Sequence, residues 1–193
     1  MTKWLSHRMV ERGIIKEEEQ ELYQFGIRNG MILLLNVVTA LVIGLLTEQL
    51  AVVAVFTLSF MVLRSYTGGY HSDSRIFCYL GSNLVLLVPV YTQAVFYKTS
   101  LAWLLAVLLV SAGIIFLLSP MHSKNRKLDK EEQKHFGRKA RLIAALELVV
   151  LGILWHAGQI PYAYAVYTGI CITALFMLVG KAQLWIQSHT ENG

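Results

Sequence analysis

Long apolar runs separated by short polar breaks dominate the chain. The first extends from about Met31 to Leu46, and Thr47-Glu48-Gln49 separates it from a second at about Leu50 to Leu63. After the polar stretch Arg64 to Arg75, a third run covers about Ile76 to Tyr97 and a fourth about Leu101 to Leu118. A basic connector, Ser119 to Arg141, leads to a fifth run at about Leu142 to Ala157 and a sixth at about Tyr162 to Val179. A polar tail begins at Lys181. A helix of roughly 20 apolar residues crosses the hydrocarbon core and satisfies its own backbone hydrogen bonds there. The pattern therefore predicts an all-α integral membrane fold of about six transmembrane helices in a single membrane domain. The first two runs are short, so they tilt little or extend into their flanks. Pro89 predicts a kink in the third, because proline removes a backbone donor and clashes with the preceding turn.

Residues 1–30 follow a different pattern. Trp4, Leu5, Met9, Val10, Ile14, Ile15 and Leu22 recur at loosely helical spacing among Arg8, Arg12 and Glu17 to Glu21. An amphipathic helix lying on the membrane surface accounts for this spacing, with a solvated helical arm as the alternative. No apolar core of a cleavable signal peptide precedes Met31.

Composition agrees with the membrane reading. Only 15% of the 193 residues are charged, 55% are hydrophobic, and mean hydropathy is +0.53. Soluble domains carry about a quarter charged residues. A large soluble catalytic domain, a nucleotide-binding cassette and an extracellular receptor module are excluded, so any chemistry sits in a loop or within the membrane. The net charge of +5 fits an anionic membrane surface better than nucleic acid in so apolar a chain.

The cations also predict topology. With six spans, sixteen of the seventeen Lys and Arg fall on one side of the membrane and only Lys98 on the other. The positive-inside rule places the larger set, both termini and the 64–75 loop in the cytoplasm.

That loop holds the densest candidate chemistry. Arg64, Gly68, Gly69, His71, Asp73 and Arg75 precede Cys78, which lies seven residues after His71. A thiolate is a competent nucleophile, and histidine can take the thiol proton. Arg64 and Arg75 add positive potential. A helix starting at Ser72 to Ser74, all good N-cap residues, puts Cys78 near the end of a helix that favours an anion. In one continuous helix, His71 and Cys78 would lie about 10.5 Å apart along the axis. A hydrogen-bonded pair needs about 3 Å. His71 is therefore expected off the helix, folded back over its start by a turn at Gly68-Gly69, with Asp73 orienting the imidazole.

The stretch Arg64-Ser65-Tyr66-Thr67-Gly68-Gly69-Tyr70-His71 with Cys78 resembles the signature of the AgrB family. These are membrane-embedded cysteine endopeptidases of bacterial peptide quorum sensing. The resemblance rests on Arg64, Gly69, His71 and Cys78 at their relative spacings. Less specifically, Ser119-Pro120 and the basic residues after it resemble a Pro-then-basic connector of the family. The resemblance implies a multi-pass protein of the bacterial cytoplasmic membrane, and a dimer. It implies cleavage of an AgrD-like propeptide by Cys78 with His71 as general base, supported by Arg64 and Gly69. The tail leaves, and the thioester on Cys78 is resolved into a cyclic thiolactone or lactone. Lys124, Arg126, Lys127 and Lys130 are weaker candidates for holding an acidic substrate tail; retention of the connector in the cytoplasm explains the same charges.

The remaining candidates are weaker. Glu147 and His156 lie in the fifth run on opposite sides of an ideal helix. Glu147 is expected to pair with another span or to sit at the interface, since an intramembrane ionisable group is a functional suspect. Cys171 reads as a small apolar packing residue, and His122 and His135 as solvated. No cysteine or histidine cluster has zinc spacing and no glycine loop suits a phosphate, so no metal or cofactor is expected. Two alternatives to the enzyme remain. One is a small transporter or peptide-export component with Pro89, Glu147 and His156 along its path. The other is a scaffold whose basic connector recruits an acidic partner.

Overall fold

The computed structural model describes residues 2–68, 75–121 and 129–190, and among these every regular element is helical. Eight α-helices follow in order: α1 (Thr2–Glu11), α2 (Gln20–Leu46), α3 (Leu50–Thr67), α4 (Arg75–Tyr91), α5 (Gln93–Lys98), α6 (Leu101–Leu118), α7 (Lys130–His156) and α8 (Ile160–Thr190). The chain divides by its contacts into two compact units, Met1–Thr39 and Ala40–Gly193.

The N-terminal unit departs from a single interfacial helix over residues 1–30. α1 ends at Glu11, and Gly13 turns the chain with φ +67°. Trp4 and Leu5 are exposed on α1, and the Arg8 guanidinium stacks 5.0 Å from the Trp4 ring. α2 then starts at Gln20, about ten residues before the first apolar run. Leu22, Tyr23, Phe25 and Ile27 maintain helical periodicity there. Interior glycines such as Gly26 and Gly30 each cost a helix only about 1 kcal/mol relative to alanine, too little to stop it.

In the second unit α8 is the central element. Its most apolar window is 67% buried, against 33% or less for the other apolar helices of membrane-spanning length. Val53, Phe56 and Leu63 of α3 pack with Tyr164, Ala165, Ile170 and Met177 of α8, with Ala144 of α7 and Ile115 of α6 alongside. α3 and α8 run parallel, with Ser59 beside Gly169 and Arg64 beside Phe176. α7 runs antiparallel to α3, with Glu147 at Ser59 and Phe136 at Tyr66.

The spacing between α3 and α8 is set by a glycine. A Cβ on Gly169 would lie 2.5 Å from Ser59 Oγ. The hydroxyl occupying that space donates to Glu147 Oε2 at 2.8 Å and ties in the third helix. Small residues allow such close approach where no hydrophobic driving force acts between helices.

Two spans differ from expectation. The third is broken at Thr92, three residues beyond Pro89, and continues as α5. Pro89 lies inside α4 and is fully buried. Thr92 Oγ1 lies 2.8 Å from the Val88 carbonyl and 2.6 Å from Tyr164 Oη, which anchors the break to α8. The connector is helical from Lys130, so its second half and the fifth apolar run form one 27-residue helix. The run from Leu142 to His156 is about 22 Å long at 1.5 Å per residue, short of a core about 30 Å thick. Five helical segments among the described residues have the length and composition to cross a membrane, and the apolar half of α7 falls below that measure.

Gly169→Ala is expected to push Ser59 Oγ away from Glu147 and cost about 1–3 kcal/mol of stability. Thermal unfolding in detergent measures this. Gly169→Ala should cost clearly less in a Ser59→Ala background, where the clashing oxygen is gone. Equal costs in both backgrounds would refute the contact.

Candidate functional site

The site expected from the sequence begins where α3 ends. Gly68 caps α3, its N–H donating to the Arg64 carbonyl at 3.2 Å. With φ +71° and ψ −153°, it occupies a region essentially restricted to glycine. Gly68 thus has the backbone freedom that a turn needs, while Gly69 lies outside the described residues.

Tertiary packing holds this turn in place. The Met121 N–H donates to the carbonyl of fully buried Thr67 at 2.9 Å. A Cβ on Gly68 would sit 2.8 Å from the Met121 carbonyl oxygen. One residue earlier in the same segment, a Cβ on Gly137 of α7 would lie 2.9 Å from Pro120 Cδ. Ser119 accepts no such exposure either: it is buried and its hydroxyl donates to the Ile115 carbonyl at the end of α6. The segment Ser119–Met121 is therefore clasped between the end of α3 and the first turns of α7.

α4 begins at Arg75, so the Cys78 backbone lies in its first turn. The helix dipole favours an anion there. Arg75, Cys78 and Lys130 are placed by their backbone alone. Gly69, His71 and Asp73, and Lys124, Arg126 and Lys127 of the connector, lie outside the described residues, as does His122. The expected His71–Cys78 pairing lies outside them too.

Arg64, expected from the sequence to support the site, has a described environment. It is half-buried one turn before Gly68, with its guanidinium carbon 4.8 Å from the Phe176 ring centroid and 5.8 Å from that of Phe60. Beside it, Tyr66 packs on Phe136 and receives Lys139 Nζ at 5.8 Å from its ring. Exposed Lys134 and Arg138 continue the basic face of α7, and Arg141 Nε donates to the Phe116 carbonyl at 3.1 Å.

Phe60, Phe176, Thr67, Met121 and Gly137 escaped sequence reasoning. Their contacts join different elements, and run length and spacing carry no signal of them. Glu147 does have a partner on another helix, Ser59. His156 ends α7 exposed, and Cys171 is a half-buried free thiol. Neither of two cavities among α4 to α8 is lined by Pro89, Glu147 or His156, the residues of the transport path. No group of three or more His, Cys, Asp or Glu could hold a metal ion among the described residues.

The fold defines an all-α membrane protein. The family model for accessory gene regulator B matches residues 1–178, and the chain belongs to that family, AgrB. Membership associates it with agr quorum sensing. An AgrB-like protein of Clostridium perfringens strain SM101 is 23% identical over 74% of this chain and 69% of its own length. A second AgrB-like protein, from C. perfringens strain 13, is 24% identical over 65% of this chain and 61% of its own length, so the chain spans about three fifths of that relative. Accessory gene regulator protein B of Staphylococcus intermedius is 26% identical over 79% and 80%. No solved structure matches the chain.

Gly68→Ala is expected to strain the backbone and drive a methyl group into the Met121 carbonyl. The Met121 amide should then exchange with solvent at least about tenfold faster, a loss of about 1.4 kcal/mol of protection. Hydrogen exchange by mass spectrometry reads this, and unchanged protection would refute the clasp.

Proposed function

We propose that the protein is a membrane-embedded cysteine endopeptidase that removes the tail of an AgrD-like quorum-sensing propeptide and promotes cyclisation of the remainder. The observation that carries this reading is the Arg64, Gly69, His71 and Cys78 spacing in a chain of the AgrB family, with Cys78 in the first turn of α4.

The chemistry follows from those groups. His71 takes the Cys78 proton, and Sγ attacks the carbonyl carbon of the peptide bond before the tail. The C–N bond breaks, His71 returns the proton to the leaving amine, and the signal segment remains as a thioester on Cys78. A thiol or hydroxyl within that segment then attacks the thioester carbonyl. The Cys78 C–S bond breaks, and the thiol is regenerated as the ring closes. A thiolactone keeps the activated bond that hydrolysis would lose, which favours a nucleophile at a membrane boundary with restricted water. Arg64 adds positive potential to the site, and Asp73 orients His71.

The same reading places six spans in the bacterial cytoplasmic membrane with both termini and the catalytic loop in the cytoplasm. Support comes from α7, which runs antiparallel to α3 and returns through α8 parallel to it. The basic residues from Lys124 onward would face the acidic tail.

Incubation of the lipid-embedded protein with a short propeptide carrying an acidic tail tests the mechanism. Mass spectrometry should find an adduct on Cys78 equal to the substrate minus its tail. Cys78→Ala should abolish it and His71→Ala should reduce it strongly. Cleavage that survives Cys78→Ala would sink the proposal.

Tail recognition has its own test. Neutralising Lys124, Arg126, Lys127 and Lys130 with glutamine should slow cleavage of an acidic-tailed peptide by about tenfold or more. A neutral-tailed peptide should be affected little. Equal losses for both would show that the charges serve topology alone.

A further inference from the structure

Arginine in an apolar span needs a setting that offsets its lost hydration. Arg64 lies in such a span, with its planar guanidinium against two aromatic rings from different helices. Phe60 comes from its own helix, one turn earlier, and Phe176 from α8. The two rings meet edge to face, with centroids 5.8 Å apart and planes at 63°. They form two walls of a corner. The Phe176 wall is the closer, at 4.8 Å from the guanidinium carbon.

Both walls are anchored in the core. Phe60 stacks on fully buried Phe56 with planes 4° apart. Phe176 precedes fully buried Met177 on α8. A guanidinium is attracted to the negative face of a benzene ring and is weakly enough hydrated to stack there. Two non-parallel faces restrict both the depth and the rotation of the cation, whereas a single ring would let it slide. The corner lies one turn of α3 before Gly68, where the candidate catalytic loop departs.

We infer that Phe176 and Phe60 are positioning residues: they hold the Arg64 guanidinium at a fixed place near the end of α3, from which its charge favours the Cys78 thiolate. This inference rests on the peptidase reading, because it presumes that Arg64 serves Cys78. It extends the functional set to α8, 98 residues beyond Cys78.

Alkylation of Cys78 by iodoacetamide across a pH series, read by mass at that residue, follows the thiolate and needs no substrate. Arg64→Gln should move the profile to higher pH. Phe176→Leu, which keeps an apolar side chain but removes the ring, should move it in the same direction. At neutral pH it should slow alkylation by about threefold to tenfold. Phe176→Tyr keeps the ring face and should match the parent. Phe176→Leu should add nothing in an Arg64→Gln background, because there is no cation left to position. Phe60→Leu should repeat the pattern at smaller size, and it serves if Phe176→Leu fails to fold.

Additive shifts in the double variant would overturn the inference, as would a Phe176→Tyr profile like that of Phe176→Leu. So would a profile that Arg64→Gln leaves unmoved. Failure of the peptidase reading shows separately, as propeptide cleavage that survives Cys78→Ala.

Discussion

The close approach of α3 to α8 at Ser59 and Gly169 is the constraint on which the rest of the bundle depends. Without a Cβ at Gly169, the Ser59 hydroxyl enters the helix interface and reaches Glu147 on α7. One small residue thus sets the separation of two helices and lets a polar contact recruit a third. In lipid this matters more than in water, because apolar side chains gain little by leaving hydrocarbon for one another. Close packing and satisfied polar groups must supply the specificity.

From this crossing the parallel course of α3 and α8 carries register toward the end of α3. Arg64 meets Phe176 five positions after Ser59 on α3 and seven after Gly169 on α8. Beyond it, the buried Thr67 carbonyl is taken by the Met121 N–H, and Pro120 fits against Gly137. These contacts join the ends of α3 and α6 to the start of α7. The proposed catalytic loop thus leaves a firmly held helix end and returns into the first turn of α4. In the proposed mechanism, a mobile peptide substrate meets a nucleophile whose flanking helices are fixed by contacts distant in sequence.

Apolar run length predicted the helices well where a run was uniform. Leu101 to Leu118 matches α6 residue for residue. Prediction was poorer where polar residues continue a helix out of the apolar run. α2 starts at Gln20 rather than Met31, and α7 at Lys130 rather than Leu142, because helical backbone bonding does not require apolar side chains. Hydropathy marks where lipid is tolerated and is silent on where the backbone ladder stops. The break after Pro89 falls at Thr92, where a hydroxyl contact with Tyr164 of α8 settles its place.

The sequence by itself determined the class of fold, the positions of the apolar segments and the motif that carries the family resemblance. Each of these is local: run length, residue type and spacing state it directly. Only the tertiary structure decided that Ser59 serves Glu147, that Phe60 and Phe176 enclose Arg64, and that Met121 secures Thr67. Those contacts join residues on different helices. Their partners depend on how helices cross and which faces meet, and in a chain apolar on nearly every face the hydrophobic pattern cannot specify that.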